Sequence, residues 1–252
     1  MMVGGDAMET LFYNGGMIKN ELMDELRGIS DPMAMMDRLV AVCGLDSVVL
    51  ASSLGAEDQV LTDMMWGRGI AISIVVLDTG RLHNETHSVM SKTQRQYGFQ
   101  HQVMMPPTDA LETFVQQHGP NAFYESIELR KACCHLRKMV PLQRALHGKK
   151  AWITGVRREQ SANRAGMQSV EWDESNGLIK LNPLIGWSST DVWAYLRENR
   201  VPTNPLHDRG YPSIGCAPCT RAVEPGQPDR AGRWWWENHK DGSQECGLHQ
   251  AN

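Results

Sequence analysis

Four short apolar runs, separated by segments with helical spacing, constrain this chain's fold more than any other feature. The runs are SVVLASS (47–53), AISIVVL (71–77), HQVMM (101–105) and AWITG (151–155). After the first, AEDQVLTDMMWGR (56–68) places Val60, Leu61, Met64 and Met65 on one helical face. NETHSVMSKTQRQYG (84–98) reads as a polar-faced helix. Another helix starts near Thr108 and ends by Gly119, with Pro120 just beyond. Strands that alternate with helices imply an α/β fold: a mostly parallel sheet with helices on both faces.

The flanking segments are less regular. Residues 1–18 are rich in Gly and Met and read as loosely ordered. A helical segment follows over 19–43, interrupted by Gly28 and Pro32. The segment RKACCHLRK (130–138) opens a helix that runs through Leu146. In SSTDVWAYLREN, Ser188 and Asp191 form a capping pair ahead of Val192, Trp193 and Leu196. From about residue 200 onward Pro, Gly, Cys and Trp accumulate, which suggests an irregular tail packed on the same domain.

With 41% hydrophobic and 21% charged residues, the composition is that of an ordinary globular protein. No apolar run approaches the roughly 20 residues needed to span a bilayer. The first residues lack a basic stretch followed by an apolar core, so no secretory signal is expected and the expected compartment is the cytoplasm. A formal net charge of −4 argues against bulk attraction to nucleic acid. Neither a nucleic-acid nor a membrane partner is expected.

The cysteines carry the chemistry. Cys43, in LVAVCGLD, reads as a small buried hydrophobe. Cys133 and Cys134 are adjacent, and a disulfide between neighbours would require a strained backbone. Cys216 and Cys219 form a C-x-x-C in GYPSIGCAPCTRAV. Together the four thiols suit a tetrahedral zinc ion or an iron–sulfur cluster. A redox dithiol, or two unrelated buried pairs, are the alternatives. Arg137 and Lys138 follow the pair by one helical turn and would offset the charge of a thiolate-ligated centre, unless they form a solvated basic face.

Ligands of open parallel sheets bind beyond the carboxyl ends of the strands. After the first strand, Ser52, Ser53 and Gly55 make a small-residue turn into a helix, which suits an anion at a helix N-terminus or is an ordinary βα turn. The second strand ends at Leu77 and Asp78, where a base or ribose would be met; Asp78 equally reads as an Asx turn. Arg157, Arg158, Arg164, Arg221, Arg230 and Arg233 all fall in expected loops. In an acidic chain they suggest a small anionic ligand, or scattered surface cations. Trp234, Trp235 and Trp236 could stack on a base or close a lid, and at least one suits the core. Cys246, in the polar C-terminal segment, is either a nucleophile or merely exposed.

Taken together, these motifs resemble the assimilatory adenylyl-sulfate reductases, within the family that reduces adenosine 5′-phosphosulfate or its 3′-phosphorylated form. The resemblance spans roughly 47–250. It rests on SSLGAED, LDTGRLHNET, the CC followed by RK, WITGVRREQSANR, KLNPLIGWSSTDVWAYL, GYPSIGCAPCTRAV, RAGRWWWE and ECGLH. It implies an adenine nucleotide alpha hydrolase-like fold. With the reading of the residues above, the chain divides into an N-terminal helical segment (1–46), a nucleotide-binding core (47–200), and a cluster loop with a catalytic tail packed on the same domain (201–252). SSLGAED departs from the SGGxDS of the ATP-cleaving relatives. Leu54 stands where some reductases carry Ser, so one phosphosulfate contact would be either missing or replaced by Ser52 or Ser53.

By the same resemblance, Cys133, Cys134, Cys216 and Cys219 would ligate a 4Fe–4S cluster. Lys138 would lie between cluster and substrate. Arg164, Arg230 and Arg233 would bind the anion, with Arg157 beside them, and Ser52, Ser53, Gly55, Leu77 and Gly155 would meet the nucleotide. Cys246 would be the nucleophile, forming an S-sulfocysteine that thioredoxin or another thiol such as glutathione releases as sulfite. A homo-oligomer is compatible with this picture. Three alternatives stand beside it: a 3′-phosphoadenylyl-sulfate or dual-substrate reductase, a zinc-bearing tRNA-modifying ATP pyrophosphatase, and a non-catalytic iron–sulfur sensor.

Overall fold

The structure is a computed structural model that describes residues 19–237. The readings for residues 1–18 and for the tail from 238 onward, Cys246 and ECGLH included, lie outside the described residues.

A six-stranded sheet has the order β3-β2-β1-β4-β6-β5. Its strands are β1 (Val48–Ser52), β2 (Ser73–Leu77), β3 (Gln102–Met104), β4 (Ala151–Ile153), β5 (Val170–Asp173) and β6 (Leu178–Leu181). β1 pairs in parallel with both β2 and β4. All other pairs are parallel except β5 with β6. The central strand is buried on both sides. Val48 and Leu50 face a core built with Leu22, Leu39 and Leu61, whereas Val49 faces Leu142, Ala145 and Leu146 on the opposite side. Helices therefore cover both faces, as the strand–helix alternation implied.

Two helices precede the sheet, α1 (Lys19–Arg27) and α2 (Pro32–Cys43), and the break falls between Gly28 and Pro32. Asp31 caps α2 by accepting from the Ala34 N–H at 2.8 Å, and Pro32 occupies a first-turn position where no N–H is needed. The crossovers are α3 (Ala56–Trp66), α4 (Asn84–Tyr97) and α5 (Thr108–His118). The capping pair forms as expected: Ser188 and Asp191 bond reciprocally at the start of α8 (Ser189–Glu198).

β5 and β6 form a hairpin that the sequence reading did not include. β6 lies inside the sheet, yet it carries Lys180, so it does not read as an apolar run. Burial of Lys180 is made tolerable by Glu171 across the pair, 3.1 Å away. The turn contains Asn176 and Gly177, and Gly177 has φ +66°; this NG dipeptide was the available signal.

The double-cysteine helix also differs from expectation. It begins at Ile127, capped by Ser126, and Cys133 and Cys134 close its first segment, α6 (Ile127–Cys134). The helix then widens into a π turn over His135–Met139, where the Val140 N–H reaches back five residues to the His135 carbonyl. Regular helix resumes as α7 (Val140–Leu146). Pro141 explains the irregularity: it has no N–H for the Arg137 carbonyl, and its ring would crowd a normal turn there.

At the other end of the sheet, His101 is 7% exposed, and neither ring nitrogen has a hydrogen-bond partner among the described residues. Burial lowers its pKa to about 4. The folded state therefore binds fewer protons than the unfolded state below about pH 6.5. Stability is retained above that value and declines as pH falls toward 4. We predict that His101→Phe removes about 1–2 kcal/mol of the stability difference between pH 7.5 and pH 5, measured by denaturant titration at both.

Candidate active site

β1 sends the chain toward β2 on one side, and β4 sends it toward β6 on the other, so the strand order reverses between them. A cleft opens there, beyond the carboxyl ends of the strands. Ser52, Ser53 and Gly55 reach it from the end of β1, and Leu77 from the end of β2. Gly155 and Arg157 reach it from the end of β4, and Lys138 from the π turn. Arg164, Arg230 and Arg233 come from the later loops. These ten positions, separated widely in sequence, all line one cleft.

The turn after β1 is built around a buried carboxylate. Asp58, in the first turn of α3, accepts from the Ser53 N–H at 2.6 Å, from the Ser53 hydroxyl at 2.7 Å, and from the Gly155 N–H. It thus ties the end of β1 to the end of β4. Burial pushes its pKa up to about 6, against the lowering effect of these hydrogen bonds. Leu54 adopts φ +60°, with its side chain buried against Val76 and Val89. Its N–H donates to Ser52 Oγ at 3.1 Å. The close approach of α3 to β4 explains Gly155: a Cβ there would lie 2.4 Å from Asp58 Oδ1 and 2.8 Å from Glu57 Cβ.

The arginines are not equivalent. Arg157 is buried between Glu57 at 2.8 Å and Glu159 at 3.1 Å, so its charge is met by carboxylates. Arg164 donates to Gln160 Oε1, which also accepts from the Arg157 N–H. Arg233 donates to Ser213 Oγ at 3.3 Å and makes no ion pair among the described residues. Asp78 accepts from the Gly80 N–H and pairs with His87, both at 2.9 Å, which is the Asx-turn alternative. Asp58, Glu57 and Gln160 were not singled out by residue type. The first two stand in SSLGAED and the third in RREQSANR, but the burial that gives them their roles is not visible in sequence.

Cys134, Cys216 and Cys219 are buried together with Phe123 and Trp234, and Cys133 and Trp236 pack against them. None of the four is joined in a disulfide among the described residues. The Cys219 thiol is pushed up to about 12, first by burial and then by neighbouring Cys216 and Cys134; Lys138 and Arg233 oppose this. Thr79 Oγ lies 3.3 Å from Cys216 Sγ, and Arg137 donates to the Thr79 carbonyl at 2.5 Å. Among the described residues no group of three or more His, Cys, Asp or Glu is placed to hold one metal ion. Four sulfur donors beside aromatic side chains suit a thiolate-ligated group. Cys43 is a core thiol, 2% exposed, and burial holds it protonated.

We predict that Gly155→Ala, which must displace the first turn of α3, costs about 1–3 kcal/mol of stability, read by thermal unfolding.

Residues 47–222 match the phosphoadenosine phosphosulfate reductase domain. A protein of Burkholderia cepacia named adenosine 5′-phosphosulfate reductase is 53% identical over 216 residues, covering 85% of this chain and 86% of that one. Its namesake from Allochromatium vinosum is 51% identical over 218 residues, covering 86% and 84%. Among solved structures, the phosphate complex of phosphoadenylyl-sulfate reductase from Candida auris superposes with a TM-score of 0.67 at 26% identity, over 82% of this chain and 98% of that chain. Yeast FAD synthetase in complex with FAD, at 14% identity and a TM-score of 0.51 over 90% and 84% of the two chains, shares the fold alone. With the fold, the cleft and these relatives in agreement, the chain belongs to the phosphoadenosine phosphosulfate reductase family.

Proposed function

We propose that this protein reduces adenosine 5′-phosphosulfate to sulfite and AMP with thiols as the reductant, as an oxidoreductase of assimilatory sulfate reduction. One observation carries the reading. A cleft at the strand-order reversal is bounded on one side by Arg233 and Lys138, and these border three buried cysteines and the half-buried Cys133. The relatives at about half identity bear the same activity in their names.

In this reading Ser52, Ser53, Gly55, Leu77 and Gly155 meet the nucleotide. Lys138, Arg164, Arg230 and Arg233 hold the sulfate end, and Arg157 acts by orienting Glu57 and Gln160 at the rim. The cations stabilise charge on the sulfate oxygens, so that an anionic nucleophile can approach. That nucleophile is the Cys246 thiolate. It forms an S–S bond to the substrate sulfur while the bond from sulfur to the bridging oxygen breaks, and AMP departs with that electron pair. A thiol of thioredoxin, glutathione or another donor then attacks Cys246 Sγ. Sulfite leaves, and a second thiol reduces the mixed disulfide, so both electrons come from thiols. The segment leading to Cys246 is rooted at Glu237, whose carboxylate accepts two hydrogen bonds from Arg130 at 2.7 and 2.8 Å.

Cys133, Cys134, Cys216 and Cys219 would hold a 4Fe–4S cluster, which when bound supplies a fixed charge beside Lys138. The segments 1–46, 47–200 and 201–252 are then support, nucleotide-binding core and catalytic tail of one unit. The cytoplasm is the proposed compartment.

Two outcomes are expected. Protein incubated with adenosine 5′-phosphosulfate, reductant withheld, gains about 80 Da, one SO₃, on Cys246; the gain is lost in Cys246→Ser and weaker with the 3′-phosphorylated nucleotide. No adduct on intact protein would overturn the reading. Anaerobically purified protein contains iron and sulfide in equal amounts and no zinc, and Cys216→Ser loses both. A colourless zinc protein would remove the cluster from the proposal.

A further inference from the structure

Trp234 stands where the cysteine pocket meets the cleft, and its surroundings are unusual. It is 1% exposed. Its backbone has φ +46°, a left-handed conformation that is an outlier for so bulky a residue. The conformation is enforced by neighbours: the Trp234 N–H donates to the Cys219 carbonyl at 3.2 Å, and its carbonyl accepts from the Glu237 N–H at 2.9 Å. Strain of this kind persists only where the surrounding structure dictates it.

Three guanidinium groups lie over the indole: Arg130 at 4.7 Å, Arg233 at 4.7 Å and Arg230 at 5.9 Å from the ring centroid. All three are buried. They differ in what balances their charge. Arg130 is held by Glu237, both side chains being 3% exposed or less. Arg233 is offered the aromatic face and the Ser213 hydroxyl, with no carboxylate among the described residues. Its terminal nitrogens also press against Gly215, where a Cβ would lie 2.3 Å from Arg233 Nη2.

A buried arginine needs compensation. A carboxylate supplies it but occupies the same N–H donors that an anionic ligand would use. The negative face of an aromatic ring stabilises the cation without consuming those donors. We infer that Trp234 is a positioning residue for the anion end of the cleft: its indole holds Arg233 buried and cationic without occupying the donors that a sulfate-type ligand would use. This rests on the reading of Arg233 as a sulfate-binding cation. The strained backbone serves to place the ring between Arg233 and the cysteine pocket.

The test compares two ligands that differ only at the anion end. In a Cys246→Ser background, which prevents turnover, anaerobic calorimetry measures affinity for adenosine 5′-phosphosulfate and for AMP. Trp234→Leu is expected to weaken the phosphosulfate about tenfold or more, as loss of a desolvated cation–aromatic contact implies. AMP binding is expected to change less than about twofold, at unchanged iron per chain. Trp234→Phe keeps a weaker aromatic face and falls between; it carries the comparison alone if the leucine variant does not fold. Equal losses for both ligands would show a general packing role and overturn the inference, as would no loss for either. If the parent already binds the two nucleotides equally, the assignment of the arginines has failed, and the role of Trp234 falls with it.

Discussion

Parallel pairing of β1 with strands on both of its edges is the constraint from which the rest of this structure follows. A strand so placed is buried on both faces, which demands helices on both and crossovers that leave in opposite directions. Where they part, the two strand ends cannot be covered by either connection, and a crevice is left. The Asp58 carboxylate spans that gap by gathering donors from Ser53 and Gly155. One buried acid thereby fixes the spacing of two backbone segments that line the cleft. Gly155 is the concession on the opposite side, because no Cβ fits beneath the first turn of α3.

Two unlike environments meet at this crevice. One is polar and cation-lined, suited to an anionic nucleotide. The other is a dry pocket of four thiols and aromatic rings. The helix that separates them widens at His135–Met139, and that π turn carries Lys138, which lines the cleft and acts electrostatically on Cys219. π turns recur at functional sites because they redirect side chains without ending the helix. Here Pro141 makes the departure local and obligatory. On the far side Trp234 is shared between the same two environments, so charge balance in the cleft and packing of the thiols are not independent.

Much of the site could be read from residue types. The C-x-x-C, the adjacent cysteines and the loop arginines were singled out, and the first four strands and the α8 cap were placed close to where they stand. What escaped was set by burial. β6 escaped because Lys180 interrupts its apolar character, and the facing Glu171 makes that lysine acceptable inside a sheet. Arg157 and Arg233 look alike in sequence, yet one is neutralised by two carboxylates and the other lies against an indole. Asp78 offered itself as a ribose contact but is engaged locally by Gly80 and His87.

The amino-acid sequence by itself determined the alternation of strand and helix, the helix boundaries at Gly and Pro, and the chemical inventory of thiols and cations. Those are local properties: periodicity, backbone freedom and side-chain type are complete within a few residues of chain. Tertiary structure alone decided which strand end faces which, which acid is buried, and which arginine is met by carboxylates and which by an indole. All of these depend on groups brought together from distant positions, and the energy of a charge is set by the neighbours it acquires when water is removed.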